Sequence, residues 1–409
     1  MAYINRQLQD SVLGLSRQFP VILITGPRQV GKTTMLIELM KKENKKREYV
    51  TLDDLNERAM AKQDPAMFFQ IHHSPILIDE VQYAPEIFPY IKMRVDKNRQ
   101  PGDFWLTGSQ LFQMMNEVQE SLAGRVALLN LFSLSQAEME GRNSQPFCLD
   151  ISVFTKERDF VHPATAPEIF RRIWEGSMPA ILSGAVTDRD VFYSSYLSTY
   201  IDRDIKEISG IIDSLKFLRF VTAVAARDSQ LLNNKSIADD AGINQATVKN
   251  WLNILQSLGI IFYLHPYSNN VLKRTIKTPK LYFYDTGLVC YLTRWSSPEV
   301  AMNGAMNGAL YENYVVSEIM KSYYHHAKTP YLYYYRDKDS REIDLVLEAN
   351  ETLFPIEIKK TAHPEKRMTA NFSVFDKGSL KRGTGAIICL ADSLSAFDKK
   401  NLIIPSWFI

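Results

Sequence analysis

The chain has 409 residues, 45% of them hydrophobic and 23% charged, which excludes a disordered or coiled-coil protein and suggests roughly two to four domains. A formal charge of +2 leaves nucleic acid open as a partner but requires any basic surface to be local. Cys148, Cys290 and Cys389 are far apart and lack CxxC spacing, which argues against zinc or a disulfide framework and makes the cytoplasm the expected location. No apolar run approaches the roughly 20 residues a membrane span needs, and the first residues lack the apolar run of a signal peptide, so no membrane partner is expected.

The stretch "FPVILITGPRQVGKTTMLIELMKK" reads as strand, glycine-bounded loop and helix. The loop Gly26, Pro27, Arg28, Gln29, Val30, Gly31, Lys32, Thr33, Thr34 has the GxxxxGKT spacing. Its glycines allow successive amides to turn inward on a phosphate, and the helix that follows adds its positive end. Lys32 is expected to reach the β- and γ-phosphates of ATP, and Thr33 to ligate Mg2+. "YVTLDD" reads as the next strand. In "SPILIDEVQYAP" a buried strand ends in Asp79 and Glu80, where a nucleotide site in a parallel sheet is expected to lie. Asp79 would hold Mg2+ through water, and Glu80 would polarise the attacking water. "GDFWLTGSQ" is a further strand, whose Ser109, or failing it Thr107, would sense the γ-phosphate. "VALLNLFSLS" completes five strands alternating with helices, an α/β three-layer sandwich.

The phrases "GPRQVGKTT", "ILIDEVQ", "LTGSQ", "LAGRV" and "LFSLSQAEM" resemble a family of bacterial and archaeal AAA-type P-loop ATPases. The resemblance implies a winged-helix segment and a C-terminal domain similar to restriction endonucleases after the ATPase core. The corresponding division is 1–150 for the core, 151–210 for a helical lid, 211–295 for the winged helix and 296–409 for the nuclease-like domain. Phosphoryl transfer commonly uses a cation at the γ-phosphate, worth on the order of 10³ or more in rate. Arg125 of "LAGRV", read as lying near the catalytic edge, is the first candidate, and Arg203 of "YIDRDI" the second. A homo-oligomer would supply Arg125 in trans.

"PEIFRRIWEG" is an amphipathic helix with Ile169, Phe170, Ile173 and Trp174 inward. "KSIADDAG" and "INQATVKNWLNILQSLG" suit a helix-turn-helix, with Val248, Trp251, Leu252 and Leu255 inward. If the second helix reads double-stranded DNA, Asn244, Gln245, Thr247, Lys249 and Asn250 face the groove, with Lys273, Arg274, Lys277 and Lys280 of the wing on phosphates. A packing or protein-contact role for the same segment stands beside that reading.

The last third opens with a helix, "GALYENYVVSEIMKSYY", and a strand, "YLYYYRD", and then "REIDLVLEANETLFPIEIKKT" reads as a hairpin. A turn between Asn350 and Glu351 pairs residues whose numbers sum to 701. Ile343, Leu345, Leu347, Phe354, Ile356 and Ile358 then share the core face, while Asp344, Glu357 and Lys359 share the other. Facing carboxylates need a cation or a shared proton. Lys359 would neutralise one, and Mg2+ held by Asp344 and Glu357 would do so better; an ordinary Glu342–Lys359 cross-strand pair leaves the repulsion unexplained. The order D…ExK after an acidic helix resembles the PD-(D/E)xK nuclease site, which implies catalytic roles for Asp344, Glu357 and Lys359 and a helix acid at Glu312 or Glu318. The usual proline before the first acid is replaced by Ile343. The expected function is Mg2+-dependent ATP hydrolysis to ADP, coupled to DNA binding or cleavage. The alternative is a nucleotide switch whose later domains bind DNA or protein without cutting.

Overall fold

A computed structural model describes residues 3–43, 46–109, 117, 118, 120–157, 160–201, 213–268, 278–377 and 380–409. In the first part, α1 (Leu8–Ser16), β1 (Val21–Thr25), α2 (Lys32–Lys42), β2 (Glu48–Thr51), α3 (Leu55–Gln63), α4 (Pro65–Ile71), β3 (Ile76–Asp79), α5 (Phe88–Lys97), β4 (Phe104–Thr107), β5 (Val126–Asn130) and α6 (Gln136–Met139) follow in order. The five strands form a sheet of order β2-β3-β4-β1-β5 in which every pairing is parallel. Strands β1, β3 and β4 are buried at every position, the pattern of a parallel sheet covered on both faces. Successive residues alternate between two cores: Ile22, Ile24, Leu77 and Trp105 pack on one face, and Val21, Leu23, Ile76, Ile78, Phe104 and Leu106 on the other. Because the strands are parallel, the segments after β1, β3 and β4 all emerge at one edge.

The middle of the chain supplies α7 (Ala166–Glu175), α8 (Arg189–Ser195), α9 (Ser214–Ala225), α10 (Asn234–Ala241) and α11 (Gln245–Ser257). Asn233 caps α10 by accepting from Ser236 N–H, Gly242 ends it at φ 66°, and Asn244 caps α11 through Thr247 N–H. Val248, Trp251, Leu252 and Leu255 are buried, as their helical spacing predicts. After α11 come β6 (Ile261–Pro266), β7 (Lys280–Phe283), α12 (Thr286–Leu292) and the long α13 (Asn307–Tyr324).

The remaining strands are β8 (Leu332–Arg336), β9 (Glu342–Ala349), β10 (Thr352–Lys359), β11 (Lys381–Arg382), β12 (Gly385–Cys389), β13 (Ser395–Asp398) and β14 (Asn401–Pro405). With β6 and β7 they make a nine-stranded sheet of order β13-β14-β12-β10-β9-β8-β6-β7, with β11 beside β10. Strand β6 pairs with β7 antiparallel and with β8 in parallel, so the sheet continues across residues 295 and 296. One hydrophobic core runs from Leu8 and Val12 through α9, α11 and α13 to Trp407 and Phe408.

The β9–β10 hairpin has the expected register from Ala349↔Thr352 to Leu345↔Ile356. Its turn residues Asn350 and Glu351 have φ of 49° and 57°, the left-handed pair that suits a two-residue hairpin turn. The expected face of Ile343 is corrected. The β8–β9 ladder shifts register between Tyr333 and Tyr335, so Ile343 packs with Val346 and Leu353 instead of with Leu345 and Leu347.

Candidate functional site

The phosphate loop joins β1 to α2 at the open edge of the first sheet. Gly26 has φ 141°, and a Cβ there would stand 2.0 Å from the Leu131 carbonyl oxygen, so only glycine fits. Gln29 and Gly31 also turn left-handed, at φ 60° and 90°, and the alternation curls the backbone into a nest. Arg28 Nη2 donates to the Tyr83 hydroxyl at 3.3 Å. Lys32 is buried, its Nζ donating to the carbonyls of Gly26 (3.0 Å) and Pro27 (2.7 Å). Thr33 and Thr34 open the first turn of α2, with Thr34 exposed.

Thr33 Oγ1 donates to Asp79 Oδ1 at 2.7 Å, and Thr107 Oγ1 donates to the same oxygen. Burial raises the Asp79 pKa above its ordinary value, against the hydrogen bonds from Thr107 and Thr33. A threonine hydroxyl and a carboxylate at this spacing are hard oxygen donors of the kind Mg2+ takes, so the residues fit the ion that the loop implies. Glu80 follows in a left-handed conformation at φ 59°; its amide donates to Thr107 Oγ1 at 3.2 Å and its carboxylate accepts from Gln82 Nε2. Gln82 Oε1 also accepts from the Ser109 amide at 3.2 Å, so one side chain spans the ends of β3 and β4. The spacing of motif residues gave no signal for this role of Gln82. Ser109 Oγ is buried and has no hydrogen-bond partner among the described residues, while Thr107 is committed to Asp79.

The expected position of Arg125 is corrected. It immediately precedes β5, whose Val126 pairs in parallel with Val21, whereas the phosphate loop follows Thr25 at the other end of β1. At about 3.3 Å per residue the two edges are some 13–17 Å apart. Arg125 instead holds Asp96 through two hydrogen bonds of 2.6 and 2.9 Å. Arg203, Lys273, Arg274 and Lys277 lie outside the described residues.

In the last part of the chain, the hairpin brings Asp344, Glu357 and Lys359 together. Lys359 Nζ lies 2.8 Å from Asp344 Oδ2 and 2.7 Å from Glu357 Oε2. Burial, and after it the Asp344 charge, push the Glu357 carboxyl above its ordinary range. Burial opposes ionisation of Asp344 as well, but Lys359 and Lys280 hold its pKa below the usual range. The two carboxylates thus share the Lys359 ammonium. Glu312 on α13 is the helix acid near this pair; it accepts from Lys280 Nζ at 3.0 Å and from the Tyr282 hydroxyl at 2.7 Å. Glu318, two turns further on, binds Lys321 and the Gln136 amide instead. Two more expectations change. Lys280 is buried between Glu312 and Glu342 and is not a free phosphate contact, and Glu342 pairs with it at 2.7 Å, not with Lys359. Among the described residues no three His, Cys, Asp or Glu side chains converge as a metal-ligand group. The Lys359 ammonium stands between the two acids that would serve as ligands.

A cleft of about 770 Å³ separates α11 from the end of β5, lined by Asn130, Phe132, Asn250, Asn253, Tyr284 and Tyr324 among others. It adjoins the phosphate loop: Thr25 Oγ1 bonds Asn130 Oδ1 at 2.8 Å, and Gly259 packs on Pro27.

Residues 18–140 match the family model described as an AAA domain. Residues 166–299 and 307–409 match two domains of unknown function, DUF8612 and DUF4143. The uncharacterized proteins Rv2008c of Mycobacterium tuberculosis and Mb2031c of Mycobacterium bovis are each 28% identical over 346 residues, covering 84% of this chain and 71% of theirs. Among solved structures, the Walker-type ATPase PABY2304 of Pyrococcus abyssi overlaps with a TM-score of 0.43 at 13% identity, covering 70% of this chain and 94% of that one. The RuvB Holliday junction branch migration motor of Thermotoga maritima overlaps at 0.32 and 14%, covering 63% and 89%. The first part of the chain thus combines a match to the AAA domain with a five-stranded parallel sheet of α/β type. Among the described residues no helix is long and apolar enough to cross a membrane.

Proposed function

We propose that the chain hydrolyses ATP with Mg2+ at the edge of the first sheet and uses the cycle to control its C-terminal domain. The observation that carries the reading is the convergence there of the glycine loop, the buried Lys32, the Thr33–Asp79 pair and Glu80. The loop amides bind and orient the phosphates, and Lys32 leaves the Gly26 and Pro27 carbonyls to meet them. Thr33 and Asp79 would hold Mg2+, which when bound neutralises charge on the phosphates. Glu80, steadied by Gln82 and Thr107, orients the attacking water and takes up its proton. Ser109 donates its spare hydroxyl to the γ-phosphate. Arg125 reaches a site only across a subunit boundary, from a second copy in a homo-oligomer. Phosphate release by purified protein tests the reading. Lys32→Ala is expected to abolish it, and Glu80→Gln to slow it on the order of 10²–10⁴-fold with nucleotide still bound. Unchanged release from Lys32→Ala would overturn the site.

The C-terminal region is read as a nuclease-like domain following a winged helix formed by α9 to β7, with α11 facing double-stranded DNA through its exposed Asn244, Gln245, Lys249 and Asn250. Support comes from the convergence of Asp344, Glu357 and Lys359 on a hairpin behind Glu312. Mg2+-dependent plasmid nicking that vanishes in Asp344→Ala, with ATPase retained, is the expected result for cleavage. ATP-dependent DNA affinity without nicking under any metal selects the switch instead.

A further inference from the structure

Arg6 lies outside every motif of the nucleotide site, yet its guanidinium is buried directly behind the phosphate loop. Nη1 donates to the Val30 carbonyl at 2.6 Å, and Nη2 donates to the Phe132 carbonyl at 2.6 Å. Nε lies 3.1 Å from Glu138 Oε1. Glu138 is fully committed: Oε1 also accepts from the Gln7 amide at 2.9 Å, and Oε2 accepts from the Ser135 amide at 3.0 Å and faces His325 Nδ1 at 3.3 Å. The Phe132 amide donates to His325 Nε2 at 3.4 Å, which puts the ring proton on Nδ1, toward Glu138. Arg6 Nη2 stands 3.5 Å from the same Nε2. His325 immediately follows α13, the helix that carries Glu312.

The loop works only if its amides face the phosphate, which turns its carbonyls toward the protein. Lys32 satisfies two of those carbonyls, but it must abandon them when it turns to the nucleotide. Arg6 has no such second task. We propose that Arg6 is a positioning residue for the nucleotide site: it holds the phosphate loop by the Val30 carbonyl and, through Phe132, Glu138 and His325, makes that hold depend on the docked end of α13. This rests on the loop being the nucleotide site, and it adds the dependence of that site on a residue of the C-terminal part.

The test is calorimetric titration of full-length protein with ATP and Mg2+, together with steady-state ATPase kinetics. The variants are Lys32→Ala, Arg6→Lys, Arg6→Met combined with Glu138→Gln, and His325→Gln. The paired variant removes both buried charges together, so neither is stranded, and Arg6→Lys keeps a cation for Glu138 if the pair fails to fold. The paired variant is expected to raise Kd and KM about tenfold or more, with kcat within a few-fold because Asp79 and Glu80 are untouched. Arg6→Lys should restore part of the affinity, and His325→Gln should weaken binding several-fold from its distant place in the sequence. Absence of binding by the unaltered protein would overturn the site reading and this proposal together. Binding lost in Lys32→Ala but within twofold of normal in both Arg6 variants would overturn this proposal alone. Normal binding in His325→Gln would overturn the link to α13.

Discussion

At the scale of single residues, backbone conformation and burial decide what each side chain can do. Gly26 is the clearest case, because an added methyl group would collide with the Leu131 carbonyl and φ 141° is strained for any other residue. Gly26→Ala is expected to cost about 1–3 kcal/mol in stability. Because the shift occurs within the loop, it should also abolish measurable nucleotide binding; denaturant melts and calorimetry check the two effects. His72 offers a pH test away from the site. It is nearly buried, with Nδ1 2.7 Å from Glu48 and Nε2 2.8 Å from Glu57. Burial disfavours its charge, but the bonds to Glu48 and Glu57 prevail and raise its pKa above the ordinary 6.5. For Glu48 burial again opposes ionisation, while the bonds from His72 and His73 win and lower its pKa below 4.5. The His72 contribution is therefore fully present below pH 6.5 and fades as pH rises through the higher folded value. The Glu48 contribution is present above pH 4.5 and fades as acid protonates it. The stability difference between the unaltered protein and His72→Gln should peak near pH 5.5 and shrink toward pH 9, about midway and well beyond these limits. A difference that stays flat across that range would contradict the ion pairs.

At the scale of elements, α13 is fastened to the segment after β5 by buried polar contacts. Glu318 accepts from the Gln136 amide at 2.7 Å and holds Lys321 at 2.6 Å, and Lys321 also donates to the Leu134 carbonyl at 3.0 Å. Glu318→Leu strands a buried ammonium and is expected to cost about 3–5 kcal/mol, whereas Glu318→Leu with Lys321→Met should cost clearly less. Urea unfolding of the two variants measures the gap, and equal costs would rule the pair out as the fastening. None of this was legible in the sequence, because a buried ion pair at i, i+3 looks the same there as a solvated one. What was legible was local. The loop spacing, the Asp79–Glu80 strand end, the inward stripe of α11 and the hairpin register all depend on neighbours a few residues apart. Misreadings came where a distant partner decides: the bulge that turns Ile343, the carboxylates that hold Lys280, and Asp96, which holds Arg125. Arg6 belongs to the same class, since its partners Phe132 and His325 lie 126 and 319 positions away.

At the scale of the whole molecule, composition suggested several domains in series, but the elements interlock across the divisions drawn from the resemblance. Strand β6 lies between β7 of the middle segment and β8 of the last one. Phe132 of the first part stacks on Tyr284 with ring centres 3.8 Å apart and meets Tyr324 of α13 at 5.1 Å. Such an arrangement joins the surroundings of the phosphate loop to α13 through contiguous packing. It also makes a sharp claim about separability. A chain ended after residue 295 would remove α13 and β8, leaving β6 without one ladder partner and exposing the aromatic faces of Phe132 and Tyr284. Independent domains would leave a fragment that melts cooperatively. The continuous core predicts a fragment with retained helix signal in the far ultraviolet, strong binding of a hydrophobic dye and no sharp thermal transition, the signature of lost side-chain packing. Calorimetry of the fragment beside the full chain distinguishes the two, and a sharp fragment transition would show that residues 1–295 fold without the last part.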